Sequence, residues 1–285
     1  MILGRSTSQD HSNASKERAE IFELWTYYDG EVQRIVGHEY FDAETIAFER
    51  DGFYIGNVDV DLANSVAAAL ANATPHLFSA SDTVPGYWTT PFEQTIVDNL
   101  NQNSTYLKLN AESRWALSEI VDAIENKVAK CLGTPFRTLN ARAWYSNLGA
   151  EEFGPYGWHT DGLPNEILKI MVYLTPIDAL TGGLEFMHGR EIVSLPVSAP
   201  GTWVLFRNSS VRHRGIAGKE RIRLVFELTL CRSVVMDTRL RTPGENAQWP
   251  KYPWIDYCEG VEPGDNVPPP PRLRDKVESG ESSSL

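Results

Sequence analysis

Cysteine is scarce in this chain. Only Cys131, Cys231 and Cys258 occur, widely separated, with neither a CxxC pair nor the even count of a disulfide framework. Disulfide stapling is therefore not expected, and a reducing, cytoplasmic location is. A sustained basic run is missing as well: 26 Lys and Arg stand against 38 Asp and Glu, for a formal net charge of −12. Gripping a nucleic-acid backbone needs clustered cations, so no nucleic-acid partner is expected and a small-molecule substrate is. Long apolar runs are absent too. Nothing approaches the ~20 consecutive apolar residues that span a bilayer, and the opening MILGRSTSQDHSNASKERAE lacks the apolar core of a signal peptide, so no membrane partner is expected. No internal repeat is visible, and nothing fixes an oligomeric state.

The 285 residues suffice to bury one large core. Composition divides the chain into a polar, disordered start over 1–19, a single domain over 20–260, and a disordered Pro- and Ser-rich tail over 261–285. Within the domain a helical half, about 20–136, precedes a strand-rich half, about 137–232. FDAETIAFERDG reads as a short helix capped by Asp42 and ended by Gly52, followed by the strand FYIGNVDV. Asp61 to Ala71 and Ala111 to Cys131 carry apolar residues at helical spacing. From LNARAWYSN onward the segments ILKIMVYLT, GGLEFMH, EIVSLPV, GTWVLFRN and RIRLVFELTLC are short, aromatic and β-branched, and separated by turn residues. The fold class is mainly β with an α-helical N-terminal layer, the strands forming an antiparallel sandwich or jelly roll able to hold a ligand in its mouth.

The residues that carry chemistry are His159, Asp161 and His213. In an extended strand, residues i and i+2 share a face, so His159 and Asp161 can reach one metal ion. His213 follows 213 − 159 = 54 residues later, far enough for a third ligand to arrive from another strand. Two imidazoles and one carboxylate on one face, with open positions opposite, are the donor set of non-haem Fe(II) oxygenases.

From about Phe41 to Cys231 the chain resembles the Fe(II)/2-oxoglutarate-dependent dioxygenases. AFERDGFYI is similar to the start of phytanoyl-CoA-dioxygenase-like members, and WHTDG, LKIMVYLT, GGLEF, GTWVLFRN, HRG and RIRLVFEL follow the superfamily's order. FMHGR departs from the Pro-Gly-Ser-His segment often found in that branch. The resemblance implies a double-stranded β-helix, iron held by His159, Asp161 and His213, and 2-oxoglutarate and O2 as cosubstrates. It also implies a basic residue after the second histidine that pairs with the far carboxylate of 2-oxoglutarate. Arg221 and Arg223 both qualify, because residues two apart share a face; the spacing usual in such enzymes favours Arg223. An arginine suits the task because its planar fork donates two parallel, charge-assisted hydrogen bonds. The implied reaction is hydroxylation of an unactivated C–H bond with release of succinate and carbon dioxide. Asp161 stands where halogenating relatives carry a small residue. The alternatives are a protein side-chain hydroxylase and a non-catalytic jelly-roll protein that binds metal or ligand.

Other candidates receive plainer readings. His11, His38 and His76 are surface or structural, Glu151-Glu152 is a solvated loop, and Gly182-Gly183 is turn chemistry. Glu185 and His188 are three apart on a strand and point to opposite faces; His188 is at most a pocket residue. Trp144 and Trp203 read as core, whereas Trp158 directly precedes a ligand. Lys169 and Tyr173 share a face and are candidates to help hold 2-oxoglutarate. Arg207, Arg212, Arg214, Lys219, Arg221 and Arg223, opposed only by Glu220, suggest positive potential that favours an anionic substrate.

Overall fold

The computed structural model describes residues 8–37, 41–76, 103–149, 154–241, 252–254, 267–268 and 270. His38, Glu151-Glu152, Cys258 and most of the proposed tail lie outside them. Among these residues, four helices precede the main strand region: α1 (Ser8–Val36), α2 (Ala43–Asp51), α3 (Val60–Leu70) and α4 (Ala111–Leu132). The ten strands are β1 (Phe53–Asn57), β2 (Thr74–His76), β3 (Ser104–Lys108), β4 (Phe136–Ser146), β5 (Leu168–Tyr173), β6 (Gly183–His188), β7 (Glu191–Ser194), β8 (Thr202–Phe206), β9 (His213–Ile216) and β10 (Arg223–Arg232).

Local chemistry accounts for the helix ends. Asp42 accepts hydrogen bonds from the backbone N–H groups of Glu44 and Thr45, and the Thr45 hydroxyl accepts from the Asp42 N–H, a reciprocal cap. Gly52 ends α2 in the left-handed region at φ 74°. Asp59 caps α3, and Asn110 caps α4. Helix α1 begins within the segment expected to be disordered. What commits it is Ile21, Trp25, Tyr28 and Val32, which are buried at alternating spacings of four and three.

The strands form two antiparallel sheets, a major one in the order β1-β8-β5-β10-β4-β3-β2 and a minor one in the order β7-β6-β9. The arrangement is an open jelly roll. Strands β1, β2 and β3, from the half expected to be helical, extend both ends of the major sheet, so the two halves of the sequence are not two halves of the structure.

Alternation along the central strands decides what each face does. Leu168, Ile170 and Val172 of β5 and Leu224, Phe226, Leu228 and Leu230 of β10 turn to one side. There they pack with Phe48, Val66, Leu117, Ile120 and Val128 of the helices. The other face meets the minor sheet through Met171, Tyr173, Val204, Phe206 and Val225 against Leu184 and Phe186. Gly182, at φ 74°, makes the closest approach between sheet and turn: a Cβ there would lie 2.1 Å from the Ile216 carbonyl oxygen. Helix α1 forms a smaller core with Leu139, Leu163, Ile167 and Cys231. It also reaches the loop that follows Asp161, where Arg18 donates to the Gly162 carbonyl at 2.9 Å and Thr26 to Glu166 at 2.7 Å. Cys131 and Cys231 are buried and form no disulfide, and no described helix is long and apolar enough to cross a membrane.

Candidate metal centre

His159 and His213 meet across a short antiparallel bridge. The His159 N–H donates to the His213 carbonyl at 3.0 Å, and the His213 N–H returns the bond at 2.9 Å. This pairing fixes the rings 4.4 Å apart, centroid to centroid. Asp161 joins them because its backbone N–H donates to the Asn208 carbonyl at 3.0 Å, just past the end of β8. Among the described residues this is the one group of three or more His, Cys, Asp and Glu side chains able to hold a metal ion, with one atom from each lying within 4.8 Å of the others.

The orientation of each ligand is set from behind. His159 Nδ1 lies 2.8 Å from the Gly157 carbonyl and His213 Nδ1 lies 2.9 Å from the Val211 carbonyl. A carbonyl only accepts, so these contacts place the ring proton on Nδ1 and leave the Nε2 lone pairs for an ion. Both Nε2 atoms converge on Asp161 Oδ1, at 3.4 and 3.8 Å. The other carboxylate oxygen is engaged elsewhere, accepting from Lys169 Nζ at 2.5 Å and from Asn208 Nδ2 at 3.1 Å. Asp161 is thus set to present one oxygen.

Burial governs the protonation states. It pushes the His213 imidazole down to about 4, so the ring is neutral and ready to donate a lone pair. Burial works to raise the Asp161 carboxyl, but the Lys169 ammonium outweighs it and holds it well below the usual range.

Behind Asp161 the structure reveals a chain of buried charges. Lys169 also lies 3.6 Å from Glu227, and Glu227 accepts from Arg142 Nε at 2.7 Å. Glu227 and Arg142 were not among the residues expected to carry chemistry. A signal was present, since Arg223, Val225, Glu227 and Thr229 alternate on one face of β10, and a carboxylate among wholly buried strand positions needs a partner.

The two arginine candidates part company here. Arg223 opens β10 and is buried, its Nη1 donating to the carbonyls of Gly183 at 2.6 Å and Ile216 at 2.8 Å, and its Nη2 to the Ser146 hydroxyl at 3.3 Å. Arg221 precedes the strand and lies on the surface, 3.8 Å from Asp178. Arg223 Nε and the hydroxyl of Tyr173, whose ring lies 5.6 Å from the guanidinium, are both buried without a hydrogen-bond partner.

Three of the six cations of the basic stretch, Arg207, Arg214 and Arg221, have a local acidic partner. Arg207 pairs with Glu49 and Arg214 with Glu185, the latter also lying 4.8 Å over the ring of Trp158. Trp203 is on the helix-facing side of the major sheet, and Trp144 on the side of the minor sheet. His188 is exposed, 3.5 Å from Asp51, away from the triad.

No protein-family profile matches the sequence, and no curated protein does. Solved structures, however, are similar to it. One is the non-heme alpha-ketoglutarate-dependent epimerase SnoN of nogalamycin biosynthesis, 16% identical over 71% of this chain and 83% of that one, TM-score 0.46. Another is HygX from Streptomyces hygroscopicus with nickel and 2-oxoglutarate bound, 14% identical over 75% and 96%, TM-score 0.45. A third is EctD from S. alaskensis with 2-oxoglutarate and 5-hydroxyectoine, 18% identical over 70% and 80%, TM-score 0.44.

Proposed function

We propose that the protein is an Fe(II)- and 2-oxoglutarate-dependent oxygenase that hydroxylates an unactivated C–H bond of a small molecule. The observation that carries the proposal is the convergence of two neutral-tautomer Nε2 atoms on one oxygen of Asp161, with the second oxygen held back by Lys169 and Asn208. Two nitrogens and one oxygen on one side suit octahedral iron with positions left open.

The cosubstrate reading rests on Arg223 and Tyr173. A buried guanidinium with an unpartnered Nε, next to an unpartnered phenol, offers donors that a carboxylate would satisfy. When bound, iron and 2-oxoglutarate would let O2 act as the oxidant, one oxygen atom passing to the succinate formed as 2-oxoglutarate loses carbon dioxide and the other to the substrate C–H bond.

The chain's own residues would then position and shield. The Gly157 and Val211 carbonyls keep the imidazoles in the required tautomer, and Lys169 and Asn208 keep Asp161 presenting a single oxygen. The ring of Phe206, 4.9 Å from that of His213, covers one side of the ligand and helps to exclude water.

The test is direct. Purified protein incubated with Fe(II), ascorbate and 2-oxoglutarate is expected to release succinate, and to lose that activity in Asp161→Ala. Absence of both 2-oxoglutarate binding and succinate release with any substrate offered would refute the proposal.

A further inference from the structure

Arg142 is placed one strand beyond β10. In register it faces Glu227, which takes its Nε–H. Its guanidinium lies against two aromatic rings, 5.8 Å from the centroid of Tyr106 and 5.5 Å from that of Trp144. Yet Nη1 is buried with no hydrogen-bond partner. Buried donors on charged groups are nearly always satisfied, and one left open beside a candidate active site points to a ligand atom.

A count of charge agrees. Lys169, Arg142 and Arg223 are positive on the inner face of the major sheet, and Asp161 and Glu227 are negative, a sum of 3 − 2 = +1. A divalent ion adds two charges and the 2-oxoglutarate dianion removes two, so one positive charge persists with both bound. It is also localised. Glu227 answers Lys169 as well as Arg142, so it does not compensate Arg142 alone.

We propose that Arg142 anchors the primary substrate, and that this substrate is a small monocarboxylate whose apolar or aromatic body rests against Trp144. The inference rests on the oxygenase reading above. A single negative charge fits the count, whereas a phosphate monoester, at about two negative charges, overshoots it. The apolar body follows from the surroundings, since Tyr106, Trp144, Met171 and Val225 form one buried cluster on this face.

The test is calorimetric titration under anaerobic conditions of protein loaded with Fe(II) and 2-oxoglutarate. The ligands are a panel of aliphatic and arylalkyl monocarboxylates and the primary amides of the same skeletons. At least one acid is expected to bind about tenfold or more tighter than its amide, and Arg142→Gln to remove that preference, while the 2-oxoglutarate affinity of wild type and variant agree within about twofold. If Arg142→Gln leaves Glu227 unbalanced and fails to fold, the double variant Arg142→Gln/Glu227→Gln, a neutral pair of similar shape, gives the same comparison.

The inference is overturned if no acid in the panel binds, if amides bind as tightly as acids, or if the variants keep the acid preference. It is also overturned if Arg142→Gln weakens 2-oxoglutarate itself, which would assign the residue to the cosubstrate. Failure of the oxygenase reading shows separately, as wild-type protein that takes up neither metal nor 2-oxoglutarate. The acid and amide titration of that protein still decides whether Arg142 is a carboxylate anchor.

Discussion

The two faces of the major sheet are built from the same strands and have opposite characters. On β5 the residues Leu168, Ile170 and Val172 enter the helix-facing core, while Lys169 and Tyr173 between and beyond them face the minor sheet. On β10, Phe226 and Leu228 flank Glu227 in the chain and point away from it. A strand's two-residue period therefore lets stability and chemistry share one backbone while remaining on separate sides. A substitution on one face is expected to show in folding, and on the other in ligand binding.

The sharpest way to break this division is at the triad. Asp161→Ala is expected to abolish metal binding and lower succinate formation at least about a thousandfold, with the thermal midpoint of the metal-free protein changing little. Collapse of the fold in that variant would show that the site is also structural. The counterpart on the opposite face is Phe226→Ala, expected to cost about 3–5 kcal/mol in denaturant unfolding while the folded protein keeps its affinity for 2-oxoglutarate.

A smaller effect sharpens the comparison between the two arginines. Arg223→Gln is expected to weaken 2-oxoglutarate binding by about ten- to a hundredfold, and Arg221→Gln by less than about twofold, because its surface ion pair contributes little. Equal losses in the two variants would overturn the assignment of the cosubstrate to Arg223. Lys169→Met, which frees Asp161 Oδ2 from its ammonium partner, is expected to weaken Fe(II) binding about tenfold, measured by titration of the metal-free protein.

The smallest expected effect is a pH dependence. Burial works to raise Glu227 above its ordinary 4.5, but Arg142 and Lys169 outweigh it and the carboxyl is lowered. A depressed carboxylate contributes stability that is present above the unfolded value and lost as pH falls through the folded one. Wild type is therefore expected to lose stability more steeply than Glu227→Gln on acidification below about 4.5, followed by denaturant midpoints across that range.

The legibility of the sequence divides along the same line. The helix capped by Asp42, the strands from Leu168 onward and the closeness of His159 to Asp161 were readable, because caps and two-residue alternation are local signals. Helix α1 was not, since a polar start concealed a buried stripe that begins only at Ile21. The choice between Arg221 and Arg223 could not be made by alternation; it turns on where β10 begins, which is at Arg223. Lys169 was a candidate to help hold 2-oxoglutarate; its contact with Asp161 was not readable, because the distance between β5 and the loop carrying Asp161 is a tertiary fact. Glu227 looked like any strand residue until its partners came from β4 and β5.

The carbonyls of Gly157 and Val211 that anchor the two imidazoles bear on which ion the proposed site would take. Each ring is tethered to its own chain two residues back, so little rotamer freedom remains to be lost when an ion arrives. A seat fixed in advance for two nitrogens and an oxygen, with open coordination positions, gives little steric discrimination among similar divalent metals. Preference then follows the intrinsic order of the ions, in which nickel, copper and zinc stand above iron. On the proposed oxygenase reading, occupancy by iron is left to supply, and a cell rich in the competing metals would hold the protein folded, loaded and silent.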